Sequence, residues 1–319
     1  MTWDLWTPDR IADQGGRVAV VTGGGSGVGL ATVRALARRG ARVVLPVRDL
    51  TRGRRAAAGI TADVPGARID LRHLDLADLD SVRAFADGLR AELPRLDLLV
   101  NNAGVMAPPH TLSAQGHEVQ FATNHLGHFA LTGLLLDLLG RGDDPRVVTV
   151  SSPNHRRGRL DLGVVGDLDV LDVLDGPRGY SPMGHYNRSK LANAVFGLHL
   201  HRLLGQAGSP VRSVLAHPGY VATNLQKGTP VAGVRLLYGR LLAPLAQKPA
   251  DGARSVLCAA TEPAVESGAF IAPGGRGELR GAPTRVRPAP RAADAVTGRR
   301  LWEVSERLTG VRFPLPVAG

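Results

Sequence analysis

One stretch constrains the fold of this chain more than any other: a run of glycines set between an apolar strand and an apolar-periodic helix. Residues 17–22 (RVAVVT) are a short β-branched run that passes directly into Gly23-Gly24-Gly25-Ser26-Gly27-Val28-Gly29. From 28 to 39 the apolar residues Leu30, Val33, Leu36 and Ala37 fall at helical spacing, and Gly40 supplies a C-terminal stop. A strand that turns through glycines into a helix begins a β-α-β unit, because parallel strands need a crossover connection. Glycines let the backbone approach a pyrophosphate, and the helix N-terminus stabilises its negative charge. Many glycine-rich turns are only turns; the strand-turn-helix context gives this one its weight.

The rest of the chain repeats the alternation. Strands are expected at 41–47, 68–74, 96–101, 146–151 and 211–216, and helices at 78–93, 114–139, 183–204 and 249–260. Pro46 is awkward inside a strand. Residues 156–182 read as irregular, rich in Asp and Gly. Alternation of this kind builds an α/β domain, doubly wound, with helices on both faces of a mostly parallel sheet. Ligands then sit at the carboxyl ends of the strands, where the strand order switches. No repeat or composition break marks a second domain, so 1–319 is read as one domain with a short arm over 1–15, where Trp3 and Trp6 pack on the body.

Composition limits the function. Hydrophobic residues make up 44% of the 319, enough for a large core. No run of about 18 uncharged apolar residues occurs, so no integral membrane segment is expected. The start, MTWDLWTPDR, lacks the basic and apolar regions of a signal peptide. The single cysteine, Cys258, fits a reducing cytoplasm. The formal charge of +11 invites a nucleic-acid partner. That partner is not expected: the arginines are scattered, accompany abundant Ala, Gly and Pro as in GC-rich coding, and lack interleaved aromatics for stacking. No metal site is expected.

Two further places carry chemistry. The second strand ends Pro46-Val47-Arg48-Asp49. An acid at this point binds a ribose 2′-hydroxyl in NAD sites, whereas a guanidinium suits a 2′-phosphate. Arg48, with Arg52 close by, therefore favours NADP(H), and Asp49 is the feature that pulls the other way. The second place is Tyr186-Asn187-Arg188-Ser189-Lys190. Residues four apart share a helix face. A lysine charge favours phenolate, so such a tyrosine can exchange a proton with an alcohol or carbonyl oxygen. Tyr180 is the internal control: four residues on lies Gly184, which cannot do this. On its own, a tyrosine four residues before a lysine is most often a surface helix turn.

Taken in order, these residues resemble the short-chain dehydrogenase/reductase family, over nearly the whole chain. Asp75-Leu76 follows the third strand, Asn101-Asn102-Ala103-Gly104 the fourth, and Asn124 stands in Asn124-His125-Leu126-Gly127. Ser151-Ser152 follows the fifth strand, and Pro218-Gly219 with Val221 and Thr223 the sixth. The resemblance implies a single Rossmann-type domain with a seven-stranded sheet. It implies catalytic roles for Asn124, Ser152, Tyr186 and Lys190: Tyr186 as general acid/base, Lys190 lowering its pKa and holding the nicotinamide ribose, Ser152 rather than Ser151 on the substrate oxygen, Asn124 kinking its helix and holding a relay water. It implies cofactor contacts from Gly23, Gly25, Ser26, Gly27, Val28, Gly29, Arg48, Asp75 and Leu76 (adenine), Asn102, Ala103 and Gly104 (adenine ribose), and Pro218, Gly219, Val221 and Thr223 (carboxamide end). Val150-Ser151-Ser152 with His155, Arg48-Asp49, and Leu301-Trp302-Glu303-Val304-Ser305-Glu306 resemble the retinol-dehydrogenase-like branch and its actinobacterial relatives. That branch generally uses NADP(H) on hydrophobic carbonyls and alcohols.

The chain departs from the pattern in places. Gly25 stands where the branch usually has Asn, and 34 positions separate Ser152 from Tyr186, about twice the spacing of simpler members. That insertion carries Asp161, Asp167, Asp169, Asp172 and Asp175 near the rim of the site. His185 reads as a packing or solvent-facing histidine. Residues 228–247 carry an apolar stripe (Val231, Val234, Leu237, Tyr238, Leu241, Leu242, Leu245), expected as part of a substrate lid over about 220–247. A C-terminal extension occupies about 273–319. The leading expectation is NADP(H)-dependent carbonyl/alcohol oxidoreduction on a hydrophobic small molecule, in secondary metabolism. The alternative is a non-redox cyclase, dehydratase or epimerase on the same scaffold, since fold does not dictate function. The family often pairs subunits through the helices containing Asn124 and Tyr186, leaving a homo-oligomer open.

Overall fold

The computed structural model describes residues 6–160, 179–221 and 246–315. Eight strands form one sheet: β1 (Val18–Val21), β2 (Arg42–Val47), β3 (Arg68–His73), β4 (Leu98–Asn101), β5 (Arg146–Val150), β6 (Arg212–Ala216), β7 (Phe270–Pro273) and β8 (Pro283–Arg285). Their order is β3-β2-β1-β4-β5-β6-β7-β8. β1 to β7 are parallel and β8 runs antiparallel on β7. The expectation of seven strands falls one short, because β8 is three residues long and has no alternation to read. The order switches between β1 and β4, which opens a crevice at their carboxyl ends.

The longer helices among the described residues are α1 (Gly27–Arg38), α2 (Leu50–Asp63), α3 (Leu79–Glu92), α4 (119–139), α5 (Pro182–Gln206), α6 (Pro249–Thr261) and α7 (Ala295–Thr309). One core layer packs Val33 and Leu36 of α1 with Val256 and Leu257 of α6; the opposite layer joins α3, α4 and α5 through Val82, Leu89, Phe129, Leu135 and Phe196. The strand interiors β1, β4 and β5 are buried along their full length, as parallel strands covered on both faces must be. Trp6 of the N-terminal arm is buried and its Nε1 donates to Glu262 Oε2 at 3.1 Å; Trp3 lies outside the described residues.

Pro46 is tolerated for a reason of register. Arg42 N donates to Arg17 O on the β1 side, and Leu74 N donates to Val47 O on the β3 side. Alternation therefore points position 46 toward β1, and the β1 pairing stops at Val44. The missing N–H falls beyond the end of that ladder.

α4 begins later than the sequence pattern indicates. Glu118, not residue 114, opens it: its carboxylate accepts from Gln120 N and Phe121 N at 3.1 and 2.9 Å. The helix runs α-helical over Val119–Phe121, widens to a π turn at Ala122–Leu126, and resumes at Gly127–Leu139. α2 was not anticipated; Arg and Gly interrupt its apolar stripe, and only Gly53 and Ile60 are buried along it. α7, in the C-terminal extension, lays Trp302 against Phe129 at 5.0 Å and Phe313 at 4.4 Å, and Ser305 Oγ meets His125 Nε2 at 2.8 Å. Among the described residues no helix is long and apolar enough to cross a membrane.

Candidate active site

A cavity of about 1280 Å³ opens at the β1/β4 switch. It is lined by Gly23, Gly25, Ser26, Gly27, Val28 and Gly29 from the β1–α1 turn, by Arg48 after β2, and by Asp75 and Leu76 after β3. Asn102, Ala103 and Gly104 line it after β4, Ser152 after β5, Tyr186 and Lys190 from α5, and Pro218, Gly219 and Val221 after β6. Asn124 stands just behind this wall, fully buried. Thr223, Asp161, Asp167, Asp169, Asp172, Asp175 and the stripe Val231–Leu245 lie outside the described residues.

The glycine-rich turn is shaped by close approach. Gly23 has φ +66°, and a Cβ on Gly29 would lie 2.3 Å from Gly23 O. Gly25 differs: a Cβ there would meet only Val47 Cγ1, at 3.6 Å. Thr22 anchors the turn. Its hydroxyl accepts from Asn102 N at 2.9 Å and Ala103 N at 3.0 Å. Both lone pairs are then engaged, so its proton goes outward, to His128 Nε2 at 2.9 Å or Val100 O at 3.2 Å. His128 Nδ1 faces Asn124 O at 3.0 Å. A ring whose Nε2 must accept carries its proton on Nδ1 and donates to that carbonyl. Burial lowers the His128 pKa to about 4, which keeps the ring neutral. This links the glycine-rich turn to the π turn, and the sequence pattern did not reveal it.

At the β2 end four arginines, Arg34, Arg48, Arg52 and Arg55, line the cavity. Arg34 pairs with Asp63 at 3.0 Å and Arg52 Nε with Asp49 Oδ2 at 3.3 Å. Arg48 and Arg55 have no carboxylate partner among the described residues. Asp49, the residue that favoured NAD, caps α2: its Oδ1 accepts from Thr51 N and Arg52 N at 2.9 and 3.1 Å. Those backbone hydrogen bonds, Arg52's first, hold its pKa below the ordinary value. Across the cavity Asp75 Oδ1 accepts from Ala77 N at 2.9 Å. A Cβ on Gly127 would lie 2.3 Å from Leu76 O, so α4 presses directly on that loop.

At the other end α5 brings Tyr186 and Lys190 onto one face, with Lys190 Nζ 5.9 Å from the Tyr186 ring centroid. Lys190 is buried; Nζ donates to Val150 O at 3.2 Å, and burial lowers its pKa to about 8. The serine pair divides its work. Ser151 Oγ is buried and donates to Lys190 O at 2.8 Å, while Ser152 Oγ accepts from Asn154 N at 3.2 Å. Asn124 is clamped by the Val105 backbone: Oδ1 accepts from Val105 N at 2.8 Å, and Nδ2 donates to Val105 O at 3.0 Å and Ser189 Oγ at 2.9 Å. Ser189 Oγ in turn donates to Tyr186 O at 2.8 Å, so Asn124 is tied to the tyrosine's own turn. Met106, Ala107 and Met183 pack with Tyr186 as an apolar cluster. His185 is a packing residue, buried, with its ring 4.6 Å from Tyr180 and Nδ1 3.0 Å from Ser181 O.

A family model described as short chain dehydrogenase matches residues 17–163. Human retinol dehydrogenase 12 is 37% identical over 300 residues, covering 93% of this chain and 88% of that protein. Mouse polyprenol dehydrogenase is 40% identical over 311 residues, covering 95% and 87%. A solved structure of an uncharacterised protein from Mycobacterium paratuberculosis superposes with a TM-score of 0.78 at 41% identity, covering 97% of this chain and 99% of that one. A short chain dehydrogenase from Shigella flexneri, solved with NADP, shares the fold at TM-score 0.62 and 22% identity, covering 82% and 98%.

Proposed function

The chain belongs to the short-chain dehydrogenase family, and from that premise we propose that it is an NADP(H)-dependent oxidoreductase that interconverts a carbonyl and an alcohol on a hydrophobic small molecule. One observation carries the reading: Tyr186, Lys190 and Ser152 line the same cavity as the glycine-rich turn. The residues present fit a dinucleotide. Gly23 and Gly29 leave a cradle that a Cβ would fill, α1 opens beside it with its N-terminal amides, and Arg48 and Arg55 offer charge at the far end. Asp49 is engaged as a helix cap, which supports a 2′-phosphate over a free 2′-hydroxyl at this position. The apolar cluster around Tyr186 supports a hydrophobic substrate.

The cofactor would be held by the glycine-rich turn, Arg48, Asp75, Leu76, the Asn102–Gly104 backbone, Lys190 and the Pro218–Val221 turn. When bound, the nicotinamide supplies or accepts the hydride. The chain's own residues handle the oxygen. Ser152 Oγ hydrogen-bonds the substrate oxygen and orients the carbon. Tyr186 gives that oxygen a proton in reduction and takes it in oxidation. The buried Lys190 ammonium lowers the cost of the phenolate. Asn124, fixed through Val105 and Ser189, keeps the helix turn that carries Tyr186 in place.

The test is the rate of NADPH oxidation with a panel of hydrophobic aldehydes and ketones. Tyr186→Phe is expected to lower kcat by about 10²–10⁴-fold while NADPH still binds. Wild-type protein that binds NADPH and reduces no member of the panel would overturn the redox reading.

A further inference from the structure

The C-terminal extension reaches into the site. After β7 the chain folds back, and Gly277 and Leu279 line the cavity. Between them Glu278 adopts φ +58°, a left-handed backbone that a glutamate rarely takes. Such a conformation persists only where surrounding contacts hold it.

Those contacts come from two elements of the site. Glu278 Oε1 accepts from Arg156 Nη2 at 2.6 Å, and Oε2 lies 2.9 Å from His217 Nε2. The direction of the second bond follows from the other ring nitrogen. Gly219 N donates to His217 Nδ1 at 3.1 Å, so the His217 proton is on Nε2 and donates to Glu278. The neighbouring backbone repeats the grip. Leu279 O accepts from Tyr220 N at 2.9 Å and Gln247 Nε2 at 2.8 Å. A Cβ on Gly219 would lie 2.4 Å from Leu279 O, so the turn and the segment touch backbone to backbone.

Arg156 belongs to the 3₁₀ turn Pro153–Arg157, whose N-cap is Ser152. That turn is gripped from the same extension. Arg156 Nη2 donates to Arg287 O at 2.8 Å, and Ala289 N donates to His155 Nε2 at 3.1 Å. The His155 proton is therefore on Nδ1, which donates to Ser152 O at 2.7 Å.

We infer that Glu278 is a positioning residue that joins the Ser152 turn to the Pro218–Tyr220 turn and so sets the cavity's width beside Tyr186. The inference rests on the proposed function for what the two turns hold. Without the carboxylate, His217 N–H has no acceptor and Arg156 keeps only Arg287 O, so nothing joins the two side chains and the two turns separate. The adenine end, built on β1 and β2, does not take part.

The experiment pairs kinetics with two binding probes. In Glu278→Ala, kcat/KM for a reducible aldehyde falls about tenfold or more, because small displacements at a reacting centre are costly. NADPH binds more weakly, while adenosine 2′,5′-bisphosphate, which reports the adenine half alone, binds as it does to wild type. Glu278→Gln moves the same way, since its amide N–H would face a donor. Should Glu278→Ala fail to fold, Arg156→Gln removes the other end of the link and shows the same split. Wild-type kinetics in a variant with only a lower Tm, or equal weakening of both probes, overturns the inference. Wild-type protein that neither binds NADPH nor reduces the aldehyde removes the functional reading and this inference together; a normal wild type with unaltered variants removes this inference alone.

Discussion

Four guanidiniums face the β2 end of the cavity, and their partners sort them. Arg34 and Arg52 pair with Asp63 and Asp49, while Arg48 and Arg55 have no carboxylate partner among the described residues. A charge-assisted hydrogen bond contributes about 1.5–3 kcal/mol. Arg48→Ala and Arg55→Ala should each lower kcat/KM for NADPH by about 10–100-fold and leave that for NADH nearly unchanged; equal losses with both cofactors would show that neither side chain reads the 2′ position. Arg48 was legible in sequence because it stands at a strand end beside a known spacing. Arg55 was not, because its approach depends on α2, which the sequence pattern did not disclose. Ser189 and His128 were missed for a related reason. Thr22 and His128 are 106 positions apart, and no local pattern marks such a pair.

Elements in this fold are fixed by their ends and their closest contacts. The β1–α1 turn separates glycines that the backbone requires from one that it does not. Gly29→Ala places a Cβ 2.3 Å from Gly23 O; the turn must open, at a cost of about 1–3 kcal/mol, and NADPH affinity should fall with Tm. At Gly25 the space is open and φ is not positive, so Gly25→Asn should change stability by no more than about 0.5 kcal/mol. Calorimetry on the two variants separates them, and a Gly25→Asn loss as large as that of Gly29→Ala would refute the distinction. The same logic explains the misplaced start of α4. A helix is expected from Ala114, but the apolar run starts at Val119 and the capping carboxylate of Glu118 sets where the helix begins. Asp49 opens α2 in the same way; helix propensity in the Arg-Ala-Ala-Ala run behind it comes without the apolar periodicity that marks the other helices.

Across the whole molecule, burial of histidine sets the response to acid. Burial lowers His125 to about 3 and His128, His155 and His199 to about 4, against an ordinary 6.5. As pH falls through 6.5 the unfolded chain takes up protons at these positions and the folded chain does not until about 4. Stability is therefore lost across that window. Urea midpoints should decline steadily from pH 7 to pH 5, above the range where carboxylates titrate, and a midpoint that stays level would refute the assignment. Three of the four rings lie on α4 and α5, and α7 packs on two of them: Ser305 meets His125, and the His199 ring lies 5.4 Å from Trp302. The C-terminal extension thus supports the helices beneath the site at one end and grips two of its turns at the other.

By itself the sequence determined the α/β alternation, the glycine-rich turn after β1, and the short motifs at strand ends that line one cavity. These are local signals: periodicity, a turn that only glycine allows, and residues four apart on one helix face. Tertiary structure alone decided what those glycines press against, that Ser151 Oγ donates to Lys190 O, and that Asp49 serves as a cap. It also decided that residues after β7 return to the site, where Glu278 meets His217 across 61 positions of chain. The physical reason is that the strand order β1-β4-β5-β6-β7 brings distant loops to one edge. Hydrogen-bond partners there are chosen by proximity in space, which composition and spacing along the chain do not encode. The glycine-rich turn is the point where the two meet: its residues could be read in order, but the carbonyl, the helix and the histidine that hold it in shape could not.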